Sequence, residues 1–140
     1  HNRRYWRREP ILGLGVGAHS ADPPSAAEPH GRRRANPRDR SIWSERVRAG
    51  EGPAPHGEAL SKDEAMSEAC FLSLRTDDGL DAQGFATEFD HPPRHYFGEA
   101  IDRLIGDALL EEEADGGLKL SEKGRLLADT VAAEFVFTGD

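Results

Sequence analysis

Histidines, one cysteine and a glycine-rich run are the residues whose types and spacing bear chemistry. His1-Asn2-Arg3-Arg4-Tyr5-Trp6 opens the chain with an imidazole and two aromatic rings within six residues. Neutral imidazole ligates iron, and Tyr and Trp offer flat faces to a ring system. Gly13-x-Gly15-x-x-Ala18 has the spacing of a dinucleotide fingerprint, in which glycines let a pyrophosphate approach a helix N-terminus. Ala21-Asp22-Pro23-Pro24 follows and opens no such helix, so the run reads instead as close backbone packing beside a ligand. His91 and His95 are spaced like a metal pair, but Pro92 and Pro93 stand between them and argue against a regular helix. Cys70 lies on an apolar stripe and reads as a buried hydrophobe.

These residues need elements to hold them. Ile11 to Gly17 reads as a buried strand, residues 21–35 as a loop, and Asn36-Pro37 as the cap of a short helix ending near Gly50. Pro and Gly make residues 51–60 a linker. Ser61 with Glu64 matches a capping box for a helix carrying Met66, Ala69, Cys70 and Leu74, widened by Phe71 and Leu72. Asp81 caps a second helix, Pro92-Pro93 ends it, and Phe97, Ile101, Leu104, Ile105 and Ala108 mark a third. Residues 111–120 form a hairpin turning at Asp115-Gly116-Gly117, and Ser121 caps a last helix bearing Leu127, Val131 and Phe135. The order is winged-helix-like.

Charge divides the chain near the same linker. Residues 1–50 hold eleven Arg against five acids, and residues 51–140 hold seven Lys or Arg against twenty-one acids. The acidic part repels duplex phosphates, and Glu99, Asp102 and Asp107 against Arg103 are wrong for a groove-reading helix, so no nucleic-acid partner is expected. The basic part attracts anions, carboxylates as well as phosphates, although Arg32 to Arg34 also reads as a solvated loop. No apolar run is long enough for a transmembrane segment and no secretory signal is visible, so with a single cysteine a cytoplasmic protein is expected. One cysteine cannot supply the thiolates of an iron–sulfur cluster.

The opening His1-Asn2-Arg3-Arg4-Tyr5-Trp6 resembles the HNxxYW signature of HemW-type haem chaperones, radical-SAM proteins similar to coproporphyrinogen III oxidase. Gly13 to Ser20 resembles the strand and turn after it. Glu68 with Leu74-Arg75-Thr76 and Gly79-Leu80-Asp81, then Leu118 to Asp129, resembles the C-terminal module. The resemblance implies an α/β remnant over 1–50, the last strand and helix of a three-quarter barrel. A linker at 51–60 and a mainly α, winged-helix-like module over 61–140 complete the expected organisation. It implies haem binding at His1, Asn2, Tyr5 and Trp6, with His1 open between an axial ligand and a strand-anchoring hydrogen bonder. Gly17, Ala18 and His19 would lie beside S-adenosylmethionine, and a [4Fe–4S] cluster would belong to the whole family member, its ligands absent here. Transfer of haem to an acceptor protein is the implied function, with coproporphyrinogen decarboxylation the alternative. His19 replaces an apolar residue of the oxidases and leans toward the chaperones. The isolated chain is expected to be inactive as a radical-SAM enzyme.

Overall fold

The computed structural model describes residues 2–52 and 57–137. His1 lies outside them, as does the side chain of Asn2. The chain divides into two units, His1–Ser61 and Lys62–Asp140.

In the first unit a short helix, α1 (Asn2–Trp6), ends where Arg8 turns into left-handed backbone. Strands β1 (His19–Asp22), β2 (Arg32–Ala35) and β3 (Gly57–Ala59) form an antiparallel sheet in the order β1-β2-β3, with His19 opposite Ala35 and Arg33 opposite Glu58. Helix α2 (Arg40–Arg48) lies between β2 and β3 in sequence. Four expectations are corrected here. Residues 11–17 do not form a strand: only Ile11 pairs, with Ala21, and Gly15 and Gly17 take φ of 97° and 67°, which an extended strand does not contain. Residues 21–35 are not a single loop. Their arginines enter β2 because Asp22 and Glu28 neutralise Arg34 and Arg32. Asn36 is not the helix cap; Asp39 is, accepting from the Ser41 and Ile42 amides. The supposed linker contains β3, whose Gly57 fits against β2 where a side chain would collide with Arg34.

The first unit has an unusual interior. Its buried positions are Gly13, Ser20, Gly31 and Asn36, none of them a large apolar residue. Leu12, Leu14, Val16, Ile42 and Val47 are all exposed, Leu14 by 81%.

The second unit is built conventionally. Helices α3 (Lys62–Ser73), α4 (Ala82–Phe89) and α5 (Pro93–Gly106) precede a hairpin of β4 (Leu110–Glu112) and β5 (Leu118–Leu120). Leu80 bridges Leu118 as a third short rung. Asp81 caps α4 through the Gln83 amide, and Gly116 makes the hairpin turn with φ of 86°. Ser121 caps α6 (Glu122–Leu126), and a break at Leu127 separates it from α7 (Ala128–Ala133), so the single last helix expected is two. Leu127 is exposed there, while Val131 and Phe135 are fully buried. Met66, Cys70, Phe85, Phe89, Phe97, Ile101 and Leu118 complete the core. Each buried Phe contributes about 3–5 kcal/mol against truncation to Ala.

Candidate functional site

The site is best built from Asn36. Pro37 holds the residue before it in extended backbone, which turns the Asn36 side chain back toward the glycine run. Its Nδ2 donates to the Gly15 carbonyl at 2.7 Å and to the Gly13 carbonyl at 3.3 Å. Its backbone amide donates to the Ala18 carbonyl at 2.8 Å, and the Gly17 amide donates to the Pro37 carbonyl at 2.9 Å. From the other end, the Gly13 amide donates to the buried Ser20 hydroxyl at 2.9 Å. Residues 13–18 are therefore a fixed loop strapped at five points. Gly13 must be glycine, because a Cβ there would fall on the His19 backbone. Asn36 Oδ1 is buried without a hydrogen-bond partner among the described residues.

The loop delivers His19 to the start of β1. Register places His19, Ala21, Arg33, Ala35 and Glu58 on one sheet face, since neighbours across the ladder point the same way. His19, Arg33, Arg34, Gly57 and Glu58 line a depression of about 350 Å³. An imidazole, the Arg33 guanidinium and a carboxylate in one open hollow suit a small polar or anionic group. On the opposite face Arg34 grips Asp22 with two bonds of 2.6 and 2.7 Å. The hydrogen bond from Arg34, aided by its charge, holds the Asp22 carboxyl below its ordinary value, and Asp22 raises Arg34 in return.

The residues expected to form the site are placed unevenly. Gly17, Ala18 and His19 sit together in the strapped loop and its exit into β1. Tyr5 is 39% exposed and Trp6 half-buried in α1, so part of the Tyr5 side chain reaches solvent. The pairing of Ile11 with Ala21 joins the segment after α1 to β1, which puts both parts of the signature in one unit. The sequence does not single out Asn36 as a site residue. The Asn-Pro pair carried the signal, but it also fits a helix cap.

A second depression, of about 590 Å³, lies at the bend in α5, where Phe97 has non-helical backbone. It is the larger hollow, yet it weighs less as a site. Arg94 is held by Glu112 and Asp102, and Arg103 by Glu134, so both cations are already used. The hydrogen bond from Arg94 lowers the Glu112 carboxyl.

The residues do not fit a [4Fe–4S] cluster. Cys70, the only cysteine, is fully buried in the core on α3, and the cluster needs three or four thiolates. Among the described residues no group of three or more His, Cys, Asp or Glu side chains gathers to hold a metal ion. Among them, too, no helix is long and apolar enough to cross a membrane.

No curated protein matches the chain. Coproporphyrinogen III oxidase (HemN) from Escherichia coli, a radical SAM enzyme, is similar in fold, with a TM-score of 0.67 and 23% identity. The match covers 91% of this chain and 28% of that one, so the chain spans under a third of the length of the solved relative. The family model that matches is the HemN C-terminal domain, over residues 60–127. That range runs from the end of the first unit to the end of α6, so the similarity to the HemN C-terminal domain falls on the second unit.

Proposed function

We propose that this chain is the C-terminal portion of a radical-SAM protein of haem and porphyrin metabolism, and that the whole protein is a haem chaperone of the HemW type. The first unit, on this reading, is the closing piece of the barrel and the second a winged-helix-like C-terminal module. The protein binds haem and passes it to an acceptor without turnover. The observation that carries the reading is the inverted first unit, in which the buried side chains are Ser20 and Asn36 while Leu12, Leu14 and Val16 face outward. Such a surface calls for a sheet to cover it. The HemN C-terminal domain that follows supports the identity of that partner sheet.

The chain's own residues then divide the work. Asn36 and Ser20 hold the glycine loop in one shape, so backbone at Gly17 and Ala18 meets S-adenosylmethionine without reordering. That cofactor, when bound, supplies the fourth-iron ligation and radical chemistry of the family. Tyr5 lays its exposed ring on a macrocycle, and His1 and Asn2 of the signature lie beside it in sequence. His19 and Arg33 offer an imidazole and a guanidinium to the edge of the ligand, where carboxylates would be paired.

Spectral titration of haem into the chain tests the reading. Weak, sub-stoichiometric uptake is expected, because on this reading the chain carries only the closing piece of the barrel that would enclose the ligand. His1→Ala should reduce it further and His56→Ala should leave it unchanged. His19→Ala decides whether a second imidazole contributes. Equal uptake by wild type and His1→Ala would make the signature histidine structural, and absence of any uptake would remove the chaperone reading. The similarity to the oxidase favours decarboxylation of coproporphyrinogen as the second reading. It predicts preference for the reduced, iron-free macrocycle over haem.

A further inference from the structure

The sequence His91-Pro92-Pro93-Arg94-His95 argues against a helical metal pair, yet the two rings meet. Their centroids lie 4.1 Å apart with planes inclined by 29°. The chain between them explains why. Helix α4 ends with Asp90 in left-handed backbone, φ 75°, which reverses the chain before His91. Pro92 is the N-cap of α5 and Pro93 its first residue, and the His95 amide donates to the Pro92 carbonyl at 2.9 Å. The pyrrolidine rings fix φ at both positions, so little freedom separates the two imidazoles. Tyr96 braces the pair: its ring meets His95 edge-on at 4.9 Å, and its hydroxyl donates to the Phe89 carbonyl. Lys62 lies 5.5 Å from the Tyr96 ring centre and takes the Asp90 carboxylate at 2.8 Å. Both histidines are exposed to solvent.

We propose that His91 and His95 form a two-imidazole site for one exchangeable divalent transition-metal ion of the zinc, nickel or copper type. Both rings turn about their side-chain torsions out of the stack, so that the in-plane lone pair of one nitrogen from each converges on the metal, and water completes the coordination. Imidazole is a good ligand for these ions and a poor one for magnesium or calcium. The rings are already exposed and already adjacent, so binding requires neither desolvation of a buried group nor ordering of a loop. Asp90 stays with Lys62 and serves as a nearby negative charge, not a ligand. Direct ring contact also excludes a haem at this pair, since a macrocycle between two axial imidazoles would separate them. The proposal is independent of the haem reading.

Zinc chloride titrated into the whole chain, followed by site-resolved ¹⁵N spectra of the histidine rings, tests it. His91 and His95 should shift together and saturate near one equivalent. His91→Ala should weaken the His95 response by at least about tenfold, as loss of a ligand does. Magnesium should produce nothing. Both side chains are exposed, so circular dichroism of the variants should match wild type. Three outcomes overturn the proposal: no shift at either ring under excess zinc, a His95 response unchanged in His91→Ala, or an equal response to magnesium.

Discussion

Asn36→Ala measures how much of the first unit depends on one side chain. The substitution removes the bonds from Nδ2 to the Gly13 and Gly15 carbonyls, each contributing about 0.5–1.5 kcal/mol net. Gly13 is buried, so its carbonyl loses a donor that water replaces poorly, at a further cost of about 1–3 kcal/mol. Against this, the unpartnered Oδ1 disappears with the side chain and returns about 1 kcal/mol or more. The balance is a loss of about 2 kcal/mol. Asn36→Asp keeps the shape but points a carboxylate oxygen at two carbonyls, so it should cost more at neutral pH. Its deficit should shrink as pH falls through the carboxyl's folded value, which burial and the two carbonyls raise above the ordinary one of about 4. Trp6 and Trp43 are the only tryptophans and both lie in the first unit, so their fluorescence in urea reports that unit alone. A unit of this size has a slope of about 1 kcal/mol per molar urea, which turns the loss into a midpoint shift of about 2 M. An Asn36→Ala midpoint within about 0.3 M of wild type would refute the strap.

The other expectations concern both units. Gly124→Ala should cost the second unit about 2–3 kcal/mol, because its Cβ would fall on the Leu109 carbonyl, while Gly106→Ala, with open space around it, should gain about 0.5–1 kcal/mol; thermal melts that rank the two variants equally would contradict this. Arg34 holds Asp22 below its ordinary value, so the pair's stabilisation is complete above the unfolded carboxyl value of about 4 and is lost as pH falls through the lower folded value. Asp22→Asn should therefore cost about 1 kcal/mol at pH 7 for a pair this open to water, and almost nothing near pH 2. An equal deficit at both pH values would mean that the carboxylate charge is irrelevant.

Legibility in the sequence followed what each segment packs against. Asp81, Ser121 and the Asp115-Gly116-Gly117 turn act within a few residues of themselves, and each does what its local chemistry announces. Met66, Phe85, Phe97, Ile101 and Val131 fall at periodic positions and bury one another inside the second unit. The break at Leu127 gives no local sign because Leu126, Leu127 and Ala128 across it are all good helix formers. In the first unit, Arg32 to Arg34 read as loop by charge alone, since their partners Asp22 and Glu28 are distant in sequence or appear as ordinary surface acids. His91 and His95 were judged by helical spacing, whereas a left-handed Asp90 and an N-capping Pro92 brought their rings together by another route.

The glycine run shows why a correct physical signal can accompany a wrong element. Leu12, Leu14 and Val16 alternate with glycines, a period-two pattern that ordinarily places apolar side chains on a buried sheet face. In the first unit the glycine side does pack, with Gly13 tight against His19, so one face of the pattern is used. The apolar side has no cover among the described residues of the unit, and the backbone turns at Gly15 and Gly17 instead of running straight. A strand buried on both faces needs neighbours on both, and β1 supplies a contact on one side only. Asn36 then fixes the segment by capping its carbonyls individually, the function a parallel neighbour would otherwise share. The pattern thus leaves an apolar side that the described residues of the unit do not cover, and the polar strap holds the segment in that shape.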